Sequence, residues 1–376
     1  SEEPEERIRY LKAHLEHFQS YLDRKDIPQK SRVSDALYWA GWTHIELGNE
    51  NMARSIFDRA LQLHGNDLEA SEVINIIDAL ARIEKRLNNL SRRERDAELK
   101  AWIEDQKAIA FKSDRLTYYA RLNLYLQSMV PPDEPTSLVF DTVEKVPLDL
   151  LDAQILGVIA TTLVDRYARV AEDYLERLEE RYADSPYRSY AYYARAYLFL
   201  AKQDYEAARI LLARFHAESP MHPLSIQANL LYAESLTHTA RYEMATNLLE
   251  NLLKRRDARG RPHAEALLAL SFNEEAAGNI KRAVPYAQRV FNVYRAYPEL
   301  AGRAYLMSAQ QLEKLGDIRS AYRTLVEMLT DERIRELPLY EDAITLCSQL
   351  EVLLAEETDT PTAIDKITET EAAIVN

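Results

Sequence analysis

The chain has 376 residues, with 61 acidic and 47 basic side chains for a net charge of −14, and a mean hydropathy of −0.39. That charge repels phosphate backbones and excludes general nucleic-acid binding as a first expectation; no charge-free apolar stretch reaches the length of about 18 residues that a helical span needs, so no segment reads as membrane-spanning. Eight glycines, no two closer than seven residues, exclude GxGxxG, GxxxxGK[ST] and GxSxG, and the lone Cys347 excludes CxxC metal sites and intrachain disulfides.

Average glycine usage would give about 26 residues of that type. The shortage here points to helices, because sheets and loops spend glycine on turns and bulges. The chain opens at Ser1 with SEEPEE, which reads as a solvated start, or as a linker behind a removed leader. One cysteine suits the cytosol and the periplasm equally. Residues 1–66 hold an N-terminal helix and a first clear unit, SDALYWAGWTHIELGNENMARSIFDRALQLHGND, in which two helical-period stretches flank Gly48. Residues 67–149 carry the pattern poorly. They predict long helices near 68–88, 92–111 and 114–129 and a break at PPDEP, 131–135, and are expected to be degenerate helical pairs or a helical insert. Residues 150–335 are a contiguous array. Ala208, Ala245, Ala283 and Ala321 recur at steps of 37, 38 and 38 along the chain, each between two apolar-periodic stretches, and the segment around Ala171 fits with a poorer turn. Pro285 falls in the first turns of a second helix, where a missing donor predicts a kink or a delayed start. Residues 336–376 predict a capping helix and a polar tail, with a polar loop from about 355.

These helix–turn–helix units resemble the tetratricopeptide repeat family. The first unit carries the resemblance in Gly41, Gly48, Ala53, Phe57 and Ala60. Later units carry it in Ala196, Ala208, Leu212 and Pro220; in Ala233, Ala245 and Leu249; in Gly278 and Ala283; and in Ala309, Gly316, Ala321 and Leu325. The spacing places a small residue mid-way along the first helix and an alanine in the second, so that two antiparallel helices can approach closely. One such pair cannot bury its apolar face alone and must stack on neighbours. The resemblance implies an all-α, right-handed superhelix. Within the family, Tyr182, Ser185, Pro186, Tyr187, Ala191, Tyr193, Ala196, Asp204, Tyr205 and Ala208 are similar to a phrase of bacterial cell-envelope members, the Tol–Pal-associated periplasmic and outer-membrane assembly types. That leans the expected location toward the envelope.

Little in the sequence suggests chemistry. His14 and His17 share a helical face, but zinc needs a third ligand and no HExxH occurs. Glu179–Glu180 and Glu274–Glu275 are neighbours, and neighbours on a helix diverge. Cys347 lies in an apolar helix and reads as a small core residue. No cofactor, metal or catalytic residue is expected. KRRDARGRP supplies Lys254, Arg255, Arg256, Arg259 and Arg261 on an inter-repeat loop, either complementing a helix dipole or forming an anion or partner loop; SRRER at 91–95 is a weaker case.

The groove lined by the first helices is the main candidate site. Repeat spacing assigns it Tyr38, Trp42, Tyr190, Tyr193, Tyr197, Leu230, Glu234, Leu268, Phe272, Leu306 and Gln310. Two stripes result, Tyr193/Leu230/Leu268/Leu306 and Tyr197/Glu234/Phe272/Gln310, and such anchors suit an extended or helical peptide. The alternative is packing between repeats. The expected function is a non-catalytic scaffold or adaptor for a protein partner, with self-association left open. The rival reading is a helical-repeat enzyme, or a superhelical subdomain of one, acting on cell-wall glycans.

Overall fold

The computed structural model describes residues 2–24, 31–88, 92–129 and 137–359, and among them every regular element is a helix. The chain divides into two compact units, residues 1–194 and 195–376. The first holds α1 (Glu2–Leu22), α2 (Ser31–Glu46), α3 (Glu50–His64), α4 (Ala70–Asn88), α5 (Arg92–Lys112), α6 (Leu116–Ser128), α7 (Ser137–Lys145), a 3-10 turn (Leu148–Leu150), α8 (Ala153–Leu163) and α9 (Ala168–Arg181). The division falls within α10 (Arg188–Ala201). The second unit continues with α11 (Tyr205–Glu218), α12 (Ser225–His238), α13 (Tyr242–Lys254), α14 (Arg261–Ala276), α15 (Ile280–Val293), α16 (Pro298–Lys314), α17 (Ile318–Thr330) and α18 (Leu339–Asp359). From α11 onward each helix packs on the next, and α12, α14, α16 and α18 also touch in sequence. This is the all-α repeat architecture that the alanine spacing predicts.

One turn builds these hairpins. The residue five before each key alanine has positive φ: Gly48 at 75°, Gln203 at 59°, Ala240 at 56°, Gly278 at 80° and Gly316 at 79°. The N–H of the following residue reaches back to the carbonyl five positions upstream, as in Asn49 to His44 at 2.8 Å, Asp204 to Phe199 at 2.9 Å and Asp317 to Leu312 at 3.0 Å. This is a Schellman closure of the first helix. The same following residue then starts the second helix, since its carbonyl accepts from the N–H of the key alanine. Ala53, Ala208, Ala245, Ala283 and Ala321 donate to Asn49, Asp204, Arg241, Asn279 and Asp317 at 3.0–3.2 Å. Each second helix therefore begins three residues before its alanine, α15 included. Pro285 does not delay it. Both Pro285 and Lys281, four residues earlier, are exposed, so water can reach the carbonyl that the proline leaves without a donor.

Close packing follows from that register. All five alanines are fully buried, as are Phe57, Leu249 and Leu325 one turn later. Twelve residues before each alanine lies the small residue: Gly41, Ala196, Ala233, Ser271 or Ala309. A Cβ on Gly41 would come within 2.2 Å of the Phe57 ring, and the Ser271 hydroxyl donates to the carbonyl of Ala283 at 2.9 Å.

The stretch between the first repeat and α8 uses the same turn with other chemistry. Asp114 takes φ 55°, and the N–H of Arg115 donates to the Ala110 carbonyl at 2.8 Å, so α5 and α6 also form a hairpin. Polar contacts tie α6 to its other neighbours. The carboxylate of Asp141 on α7 accepts from the Tyr119 hydroxyl, the Lys145 ammonium and, at 3.2 Å, the Asn123 amide. Burial opposes the charge of Asp141, but these donors leave its carboxyl below the usual range. Arg121, buried in α6, donates to the Gly65 carbonyl at 2.7 Å and to Asp152 at 3.2 Å. The sequence-predicted helices near 68–88, 92–111 and 114–129 correspond to α4, α5 and α6. Helix α18 continues to Asp359, past the point where the sequence reads as a polar loop. The PPDEP break and the tail from 360 lie outside the described residues.

Three stability outcomes follow from this packing and these turns. Gly41→Ala forces a methyl group into the Phe57 ring and is expected to destabilise by about 1–3 kcal/mol, read as a lowered urea midpoint of the full chain. Ala240→Gly relieves a left-handed alanine and is expected to stabilise, while Gly278→Ala, which meets no neighbouring atom within 4 Å, destabilises by about 1 kcal/mol through the backbone alone. Equal effects of both substitutions would contradict the strain assigned to the turn.

Candidate functional site

The eleven groove candidates divide between the units: Tyr38, Trp42, Tyr190 and Tyr193 in the first, the other seven in the second. Tyr38 is 8% exposed, and its hydroxyl accepts from the Asn75 amide at 3.1 Å. Trp42 packs edge-on against Phe57, with ring centroids 5.8 Å apart. The aromatic that α2 shows to solvent is Trp39, 55% exposed and one helical position away from the predicted face. Tyr190 is buried against Gly157, whose Cβ would come within 2.6 Å of its ring, and burial pushes its phenol up to about 12. Tyr193 and Tyr197, on α10, are half-buried.

In the second unit the two stripes behave differently. Leu268 is 5% exposed, and Leu230 and Leu306 are half-buried against the core clusters around Ala233 and Ala309. This stripe is chiefly packing. Glu234, Phe272 and Gln310, at even steps of 38 along the chain on α12, α14 and α16, are all exposed. Phe272 is 38% exposed and stands in a row of rings. Tyr205 stacks on His238 at 3.9 Å and 11°, and His238 meets Phe272 at 5.5 Å and 47°. Beside this row, crowding by neighbours raises the Glu234 carboxyl above its ordinary value, while His238 and Arg303 pull it down. The surface can thus offer a ring face, a carboxylate and an amide over a leucine floor. His238 and Tyr205 are not among the predicted site residues, because neither lies on the alanine-derived stripes. The approach of His238 toward Phe272 depends on how adjacent repeats pack.

The basic loop separates into two groups. Arg255 pairs with Asp257 at 2.6 Å, and Arg261 with Glu265 at 3.0 Å and Glu299 at 2.5 Å, whereas Lys254, Arg256 and Arg259 are exposed. The arginines of the 91–95 run lie outside the described side chains.

The chemical candidates do not converge. His14 and His17 each pack edge-on against Phe18. Among the described residues no group of three His, Cys, Asp or Glu side chains is placed to hold a metal ion. Glu274 is buried, while its neighbour Glu275 accepts from Lys314 at 2.5 Å and from Gln311 at 2.8 Å. Cys347 lies in the core cluster with Leu350 and Ala343, and burial raises its thiol. Among the described residues no helix is long and apolar enough to cross a membrane.

Comparison with known proteins adds a family match. Residues 35–67 match the model of the tetratricopeptide repeat. No curated protein sequence matches the chain. Among solved structures, a tetratricopeptide repeat protein from Parabacteroides merdae is similar at 13% identity and a TM-score of 0.38, over 85% of this chain and 99% of that one. Yeast Tom70 is similar at 14% identity and a TM-score of 0.40, over 96% and 89%. The Cut9–Hcn1 hetero-tetramer of APC/C is similar at 12% identity and a TM-score of 0.35, over 85% and 60%. These values transfer no partner and no activity to this chain. The family match falls on α2 and α3, and over residues 35–67 the chain is similar to a tetratricopeptide repeat.

Proposed function

We propose that the chain is a non-catalytic interaction scaffold that holds an extended or helical segment of a protein partner on the face formed by α12, α14 and α16. The observation that carries this reading is the exposed row Glu234, Phe272 and Gln310, with Phe272 joined to His238 and Tyr205 by ring contacts. A large ring left in water forgoes part of the ~1.5–3 kcal/mol that burial would bring, and a partner supplies that burial. Aromatic anchors rimmed by polar groups are the usual energetic centre of such interfaces. Leu230, Leu268 and Leu306 serve as the floor that keeps the row in place.

The finer reading, a role in the bacterial cell envelope, rests on the phrase from Tyr182 to Ala208 alone. One experiment addresses both levels. Wild type and Phe272→Ala are used to capture partners from the source organism's extract, and the affinity of the recovered protein is measured with both. Phe272→Ala is expected to leave the thermal midpoint within a few degrees and to weaken the partner by about tenfold or more. Unaltered affinity would remove the row from the interface, and a recovered partner of cytosolic function would overturn the envelope reading.

Glu234 gives an independent check on the same face. A carboxyl raised in the folded state favours its protonated form, so its stabilising contribution is present at low pH and is lost as pH rises through the raised value. Glu234→Gln removes that loss. The urea midpoint of the variant is expected to gain on wild type as pH rises from about 4, the ordinary carboxylate range, through the raised value. A gap that moves in favour of wild type would mean that His238 and Arg303 dominate the site.

A further inference from the structure

The eight residues from Lys254 to Arg261 hold five cations and one carboxylate, in a chain whose net charge is −14. Two of the cations build the loop. Arg255 grips Asp257 with two prongs, Nε at 3.0 Å and Nη2 at 2.6 Å, and also donates to the Ser225 hydroxyl at 3.1 Å. Arg261 bridges Glu265 on its own helix and Glu299 on α16. Between them Ala258 is fully buried, and Gly260 takes φ 82°, a conformation that side chains resist. The loop is thus pinned at both ends and in the middle.

The other three cations take no part in the pinning. Among the described residues Lys254 donates to the Asn251 amide oxygen at 3.3 Å and pairs with no carboxylate. Among the described residues no carboxylate pairs with Arg256 or Arg259, and both are exposed. The dipole of α13 favours a cation at Lys254, in its last turn. It does not account for Arg259, which directly precedes Gly260, the N-cap of α14, where the helix presents its positive pole and cations are disfavoured. Positive charge is gathered here against both the helix and the chain as a whole.

We infer that the 254–261 loop is a second docking surface, on which Lys254, Arg256 and Arg259 take an Asp/Glu-rich segment of a protein partner. Guanidinium forks match carboxylates in two-pronged geometry, as Arg255 and Asp257 do within the same loop. A short acidic segment can touch the loop alone, whereas a long nucleic acid must approach a chain of net charge −14 over a wider area. The loop belongs to the inter-repeat side of α13 and α14, so this surface is separate from the row around Phe272.

The test uses the full chain and a fluorescently labelled peptide of ten glutamates, read by anisotropy at low salt. Wild type is expected to bind, with affinity falling steeply as salt shortens the screening length. Arg256→Ser with Arg259→Ser is expected to weaken binding by about tenfold or more at an unchanged urea midpoint, because neither residue pins the loop. Arg282→Ser with Arg319→Ser, on exposed positions of α15 and α17, is expected to leave it unchanged. No binding by wild type, or equal binding by the Arg256/Arg259 variant, overturns the inference. Binding of oligodeoxythymidine as tight as that of the glutamate peptide would overturn the acidic-protein assignment.

Discussion

Each repeat depends on a single hydrogen bond being made at a fixed place, the N–H of the key alanine donating to the carbonyl four residues before it. The Schellman turn upstream sets that place. Once it is set, the small residue twelve positions earlier faces the second helix, and the two backbones can approach to the distance at which a methyl group on Gly41 would strike Phe57. Apolar burial then follows from stacking, because no hairpin encloses its own face. The leucines of α12, α14 and α16 are buried or half-buried for this reason, and Phe272, one turn further along α14, is left at the surface.

The array was legible where the constraint selects residue type. A buried close approach accepts only small side chains, so alanines recur and their steps of 37 and 38 can be counted along the chain. Left-handed turns prefer glycine, which marked Gly48, Gly278 and Gly316 but not Gln203, Ala240 or Asp114, which take the same conformation at a cost in strain. The α5 and α6 helices were expected from the sequence, but their hairpin falls outside the alanine count. Its turn carries aspartate, the position five residues later holds Tyr119 where the other hairpins hold alanine, and Asp141 on α7 accepts from Tyr119 and Asn123 of α6. The proline at 285 suggested a delayed helix start only because sequence alone does not show that its turn faces water.

The candidate site was legible in outline and less so in detail. Repeat spacing identifies the face of a helix but not the depth of each position on it. Leu268 and Phe272 are four residues apart on one face, yet the first is core and the second surface. Depth depends on how far the neighbouring helix reaches over the face. The stacking of His238 on Tyr205 likewise joins residues 33 positions apart, through a register that only the assembled repeats define.

The turn also assigns unequal freedom to the two edges of a repeat. From small residue to key alanine the count is twelve in all five hairpins, while from key alanine to the next small residue it is 25 once and 26 twice in the second unit. All of the length drift falls between the second helix of one repeat and the first helix of the next. An inserted or deleted residue in the phase-locked edge would rotate a whole helix out of the core. On the other edge it alters only a connection. New sequence can therefore accumulate on one border of the array without disturbing the packing, and the basic octet from Lys254 to Arg261 lies on that border.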